Sequence, residues 1–318
     1  MKHKLLYFSL LLITIFCFPL LVACENEGEQ QSKTSIICST YAEYDWVQNI
    51  LGDKKENFSL TLLTDGGKDL HNYQPSISDI VKISKADMFI YVGGESTSWV
   101  DDALKNKQNK DMIVINLLSI LGDKAQIEDD FDEEEGEHEA EYDEHVWLSL
   151  NNAQTFVTEI AKKIATLDSE NATTYQENAS NYVDSLTELD NEYQTEIGKS
   201  KVKTLVFGDR FPFKYLATDY NLTCFAAFSG CSAETEASFE TKINLAKAIK
   251  ENELAAVVKI ETSDGSIAQS IKDTVRNTYN MEIKIIELDS MQKTNSKTSK
   301  SYLSIMKSNL TALCEALS

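Results

Sequence analysis

Two α/β lobes of similar build, joined by a long rigid backbone helix, are the fold class this sequence predicts, and three observations predict it. Four short apolar or β-branched runs, Ser35–Thr40, Phe58–Leu63, Met88–Val92 and Met112–Asn116, alternate with helical patterns, and strands so spaced pair in parallel through crossover units. A second set of four, Val202–Phe207, Thr223–Phe228, Ala255–Ile260 and Ile283–Leu288, repeats the arrangement. Between the sets, residues 172–198 carry no glycine or proline before Gly198, and at the helical rise this stretch spans roughly 40 Å. A soluble body of about 285 residues is also more than one core organises.

The elements follow in order. Lys2 and Lys4 precede an apolar run from Leu5 to Ala23, which has the charged start, apolar middle and small-residue end of a secretory signal. Leu21-Val-Ala-Cys24 resembles the lipobox of bacterial lipoproteins, in which the cysteine becomes the lipidated N-terminus. Residues 1–23 are therefore expected to be removed, Cys24 to anchor the chain to the cell membrane, and 24–34 to form a polar tether, placing the folded part outside the cytoplasm. Residues 35–150 make the first lobe and 200–318 the second. In the linking segment 151–199, Phe156, Ile160, Ile164 and Leu167 form one amphipathic series. Tyr175, Ala179, Tyr182, Leu186, Leu189 and Tyr193 form another at three-and-four spacing, the mark of a core-facing stripe. Such a spine favours small local adjustments over wide clamshell closure.

Composition narrows the partners. The formal net charge of −21 argues against nucleic acid and anionic lipid surfaces and suits the attraction of cations. Segment 128–144, crowded with Asp and Glu and holding His138, is expected to be a disordered acidic loop, too charged to pack. It either collects cations at the mouth of a site or is a solvated insertion. Cys17 leaves with the signal; Cys38, Cys224, Cys231 and Cys314 remain, and four cysteines allow three pairings. Cys224 and Cys231 are close enough in sequence to bridge across a loop. Their spacing matches structural zinc pairs poorly, so thiolate ligation is not expected.

Histidine is scarce, 4 in 318 residues. Two of them, His71 in Asp69-Leu-His-Asn-Tyr-Gln-Pro-Ser76 and His145 in Asp143-Glu-His-Val-Trp-Leu-Ser149, read as halves of one metal site. Imidazole offers a free lone pair at neutral pH while its other nitrogen is anchored by a neighbouring acceptor.

These two motifs, with Gly93-Gly-Glu95 and Trp99, the acidic segment before His145, the long helix and Ser232-Ala-Glu-Thr-Glu-Ala-Ser238, resemble the zinc- and manganese-binding lipoproteins of bacterial ABC importers from about residue 35 to the C-terminus. The resemblance implies a monomeric, non-enzymatic binding protein that captures a divalent metal in the cleft between two α/β lobes and delivers it to a membrane permease. It implies His71 and His145 as ligands from the first lobe and Asp289, after the strand Ile283–Leu288, as a carboxylate ligand. Where the family carries a further His or Glu, this chain has Arg210, which stays protonated and offers no lone pair. Three alternatives follow: Asp209 supplies a carboxylate, Arg210 holds Asp209 or Glu261 in a bidentate ion pair behind the ligands, or water fills an open position. Glu261, at another strand end, is a further candidate ligand. Two imidazoles with carboxylates suit Zn²⁺, while Mn²⁺ and Fe²⁺ accept the same donors; the acidic, histidine-containing segment resembles zinc importers more. The rival readings are a metal-dependent hydrolase, against which stands the lack of a His-Glu-x-x-His helix or a Gly-x-Ser-x-Gly elbow, and a surface adhesin or other solute-binding lipoprotein.

Overall fold

Every predicted strand forms, and all pair in parallel. A computed structural model describes residues 33–129, 131, 141–232 and 236–318. The proposed leader, Cys24 and most of the tether lie outside the described residues, as do much of segment 128–144 and residues 233–235. Strands β1 (Thr34–Cys38), β2 (Phe58–Leu62), β3 (Met88–Tyr91) and β4 (Ile113–Asn116) form one sheet in the order β2-β1-β3-β4. Strands β5 (Thr204–Phe211), β6 (Thr223–Ser229), β7 (Ala256–Ile260) and β8 (Lys284–Leu288) form a second in the order β6-β5-β7-β8. The two orders are the same. In each, the chain steps to one side of its first strand and then to the other, so a crevice opens beyond the strands' carboxyl ends, where open parallel sheets place their ligands.

The crossovers are α1 (Tyr41–Leu51), α2 (Ile77–Lys85) and α3 (Trp99–Lys105) in the first lobe, with the short α4 (Leu117–Leu121) after β4. In the second lobe they are α7 (Lys214–Asp219), α8 (Phe239–Glu251) and α9 (Ser266–Tyr279), and α10 (Tyr302–Ala316) closes the chain. Hydroxyl and amide side chains start half of the ten α-helices among the described residues: Ser76, Asn116, Ser149, Ser238 and Ser301 each accept a backbone N–H from the first helical turn, satisfying a donor that has no partner inside the helix.

The linking segment is two helices, α5 (Leu150–Leu167) and α6 (Ala172–Lys199), broken at Asp168, whose carboxylate accepts from Asn171 N–H and Tyr175 O–H. Both amphipathic stripes face inward: Phe156, Ile160, Ile164, Tyr175, Leu186 and Tyr193 are fully buried. They belong to one apolar cluster that includes Trp46 and Ile90 from the first lobe and Phe207, Leu288 and Tyr302 from the second. A core continuous across both lobes resists hinge opening, since parting the lobes would expose that surface at about 25 cal/mol per Å². The residues Thr34–Ser318 accordingly form a single compact unit.

Two expectations need correction. Strand β5 runs to Phe211 rather than stopping at Phe207, because its pairing with β6 shifts register between Phe207 and Arg210. At that bulge Gly208 lies against α9, where an added Cβ would sit 2.6 Å from Ala268 Cα. The flanks of segment 128–144 do pack: Ile127 bridges Tyr142, Glu128 N–H donates to Glu141 O, Phe131 stacks edge-on to Phe211, and Asp129 pairs with Lys214. Backbone pairing and one aromatic anchor hold these ends despite their charge.

Candidate metal centre

The site is assembled from strand-end loops, each held by its own local chemistry. His71 sits in a single helical turn, Leu70–Asn72, after β2, with Asp69 Oδ1 accepting its backbone N–H at 3.1 Å. His145 precedes the turn Val146–Leu148 that leads into α5, and Asp143 Oδ1 accepts its backbone N–H at 2.8 Å. Trp147 Nε1 donates to Ser290 O at 3.0 Å and Tyr302 donates to Trp147 O at 2.7 Å, which stitches the His145 segment onto the second lobe.

The two imidazoles, 74 residues apart, meet with Nε2 atoms 2.9 Å apart. Each Nδ1 has its own anchor. His71 Nδ1 lies 2.7 Å from Ser96 Oγ and 3.5 Å from Glu144 Oε2, and His145 Nδ1 lies 3.3 Å from Asp143 Oδ1. A carboxylate accepts only, so Asp143 fixes the Nδ1–H form of His145 and leaves its Nε2 lone pair facing His71. Burial foremost, and then the neighbouring His145 ring and the Arg210 guanidinium, which disfavour a second positive charge, push the pKa of His71 down to about 3. His71 is therefore neutral at physiological pH, as a ligand must be. Tetrahedral zinc needs its two nitrogens about 3.3 Å apart, a few tenths of an ångström wider than this pair.

Behind the imidazoles lies negative charge. Glu144 is buried, Oε1 accepts Ser96 N–H at 2.7 Å, and Oε2 has no hydrogen-bond partner; Asp143 Oδ2 has none either. Buried carboxylate oxygens left bare are costly unless a cation stands nearby, and the site's donor set fits one. Glycine is required at position 94, where φ is +81° and a Cβ would meet Glu144 Oε1 at 2.4 Å. This gives the Gly93-Gly94 pair its physical reason: it lets the chain approach Glu144.

The second lobe's candidate carboxylates each hold local hydrogen bonds. Asp209 Oδ2 accepts from Ile260 N at 3.2 Å and Oδ1 from Arg210 N at 2.9 Å, tying β5 to the end of β7. Glu261 accepts from Ser290 N, Ser290 Oγ and Gln292 N at 2.7–3.1 Å, so both its oxygens staple the 290–292 loop. Asp289 Oδ1 accepts from Met291 N at 2.9 Å and Oδ2 from Lys300 at 3.3 Å. Among the described residues the one group of three or more metal-ligating side chains is His71, His145 and Cys231, whose donor atoms lie within 4.8 Å of one another; Asp209, Glu261 and Asp289 fall outside it.

Arg210 pairs with neither Asp209 nor Glu261. Its Nη2 donates across the cleft to Asp69 Oδ2 at 3.0 Å, to Gln292 Oε1 at 3.3 Å and to Thr262 Oγ1 at 3.4 Å. Gln292 in turn donates from Nε2 to His145 Nε2 at 2.8 Å, capping the lone pair a metal would use. Beside Arg210 a cavity of about 280 Å³, lined by Asn72, Asp209, Ser232, Thr262 and Asp264, opens to solvent.

Sequence reasoning missed Ser96, Glu144, Gln292 and Cys231. Glu144 adjoins a named histidine, and Cys231 lies two residues beyond the end of β6, in the region past the strands' carboxyl ends where open parallel sheets hold ligands. The four described cysteines are free, so Cys224 and Cys231 form no bridge. Burial first, then Glu144, Glu128 and Asp143, raises the Cys231 thiol far above its ordinary pKa.

Known proteins resemble the chain along most of its length. The zinc-binding lipoprotein AdcA of Streptococcus pneumoniae is 29% identical over 307 residues, covering 95% of this chain and 60% of that protein; the chain thus spans under two thirds of its length. The high-affinity zinc uptake system protein ZnuA of Bacillus subtilis is 27% identical over 324 residues, covering 96% and 97% of the two chains. The crystal structure of the Zn(II)-bound ZnuA-like domain of S. pneumoniae AdcA superimposes with a TM-score of 0.69 at 26% identity, over 90% of this chain and 99% of that one. The family described as ZnuA, zinc-uptake complex component A, periplasmic, matches residues 36–316. With nearly the whole described chain inside that match, the protein belongs to the ZnuA family.

Proposed function

We propose that the protein captures a divalent transition metal, zinc, outside the cytoplasm and delivers it to an ABC permease, held to the membrane through lipid on Cys24. The observation that carries this reading is the convergence of His71 and His145, Nε2 to Nε2 at 2.9 Å, with each Nδ1 anchored and bare carboxylate oxygens behind them. Zinc suits the donors, because imidazole nitrogen binds it in tetrahedral sites without a demand for oxygen-rich coordination. The role is binding rather than catalysis: the pair is enclosed, His145 being 0% exposed, and no further histidine of the described residues stands by as a base. The net charge of −21 raises the local concentration of cations, and the shared core of the lobes makes release a matter of side-chain and loop shifts. No helix among the described residues is long and apolar enough to cross a membrane; the assignment of attachment to Cys24 rests on the lipobox-like Leu21-Val-Ala-Cys24.

The test is a thermal melt of chelator-stripped protein with and without Zn²⁺. A ligand that binds only the folded state at 100 times its Kd stabilises it by about 2.7 kcal/mol, so the melting temperature should rise by several degrees. An unchanged melting temperature at saturating zinc would overturn the reading.

A further inference from the structure

Cys231 follows β6 in the second lobe, and three contacts aim it at the histidine pair. Its backbone N–H donates to Glu128 Oε1 at 2.6 Å. Before it, Gly230 passes so close to the site that an added Cβ would lie 2.7 Å from Phe211 O and 3.0 Å from His145 Cε1. After it, Ser232 O accepts from Arg210 Nη1 at 3.4 Å. The chain is thus clamped on both sides of a free thiol whose sulfur lies within 4.8 Å of both imidazole donors.

We propose that Cys231 supplies the second lobe's ligand to the captured ion, completing a two-nitrogen, one-sulfur set that spans the cleft. The proposal rests on the metal-capture reading and names its third donor. Position 210 bears a guanidinium and cannot ligate, and Asp209, Glu261 and Asp289 accept from nearby donors and lie outside the cluster, so the thiolate is the second lobe's anionic donor beside the two histidines. Tetrahedral zinc places sulfur about 3.5 Å from each nitrogen, a separation compatible with donor atoms that already lie within 4.8 Å of one another. Zinc binding displaces the thiol proton to solvent and forms the zinc–sulfur bond; no electrons are transferred. Because thiolate is a soft donor, the site selects zinc over manganese, and Arg210 becomes a positioning residue that holds the Cys231 loop and Asp69 together.

X-ray absorption at the zinc edge tests this on the zinc-loaded protein and its Cys231→Ser variant. Expected is a sulfur neighbour at about 2.3 Å beside nitrogens at about 2.0–2.1 Å, lost in Cys231→Ser while zinc still binds. The preference for zinc over manganese should narrow by about tenfold or more in the variant, as a soft donor is exchanged for a hard one. A wild-type spectrum fitted by nitrogen and oxygen alone overturns the proposal and leaves metal capture standing, and that spectrum decides even where the variant does not fold. Wild-type protein that takes up no zinc overturns the capture reading and this inference with it.

Discussion

Replacing Arg210 by Leu tests the cross-lobe clasp, and its cost follows from the geometry. Arg210 Nη2 and Asp69 Oδ2 stand 3.0 Å apart with side chains only 13% and 12% exposed, so solvent screens them little. Removing one partner of such a pair leaves the other charge buried and uncompensated, at a cost of about 3 kcal/mol. For a chain of this length that lowers the melting temperature of the metal-free protein by roughly 6 °C. Adding Asp69→Asn removes the stranded charge yet keeps an oxygen to accept His71 N–H, so the double variant should recover about half of the loss. Differential scanning calorimetry of the four proteins, all metal-free, supplies the cycle. A single variant that melts within a degree of wild type, or a double variant whose losses simply add, would refute the clasp.

Other outcomes follow from the same contacts. Gln292→Ala frees the His145 lone pair from its 2.8 Å hydrogen bond, worth about 1 kcal/mol net, so zinc should bind up to about fivefold tighter in a competition titration. His71 has its pKa pushed below the ordinary 6.5 to about 3, so the folded state binds fewer protons than the unfolded one in that window. Its contribution to the stability of the metal-free protein is complete above pH 6.5 and is lost as pH falls toward 3; His71→Gln should show a shallower acid slope in melting temperature. Deleting residues 132–140 spares Glu128, Asp129 and Asp143 and should leave equilibrium zinc affinity within about tenfold, since isolated carboxylates bind divalent ions weakly. A larger loss in that titration would assign those residues to the site.

The sequence carried the fold because its signals were local. Strand runs such as Met88–Val92 and Ile283–Leu288 lie within a residue or so of β3 and β8, and the stripe from Tyr175 to Tyr193 is the buried face of α6. The histidine pair was legible for a different reason: imidazole is rare here, and each of the two stands two residues after an aspartate, Asp69 or Asp143, that accepts its backbone N–H. What stayed hidden depends on register and cross-lobe geometry. The bulge at Gly208 lies between Phe207, the expected strand end, and Arg210; it directs Asp209 onto Ile260 N, and only the folded chain shows that Arg210 reaches Asp69, 141 residues away. Cys231 was set aside on its spacing from Cys224, although the fold brings its sulfur within 4.8 Å of nitrogens of two histidines from the other lobe.

The central claim is that His71 and His145 together grip one ion, and a zinc competition titration of wild type, His71→Ala and His145→Ala tests it most directly. Residues that merely orient a ligand cost 10–100-fold when lost, so each variant should weaken zinc by more than about 100-fold from a wild-type stoichiometry near one ion per chain. A variant that holds zinc as tightly as wild type would contradict the account.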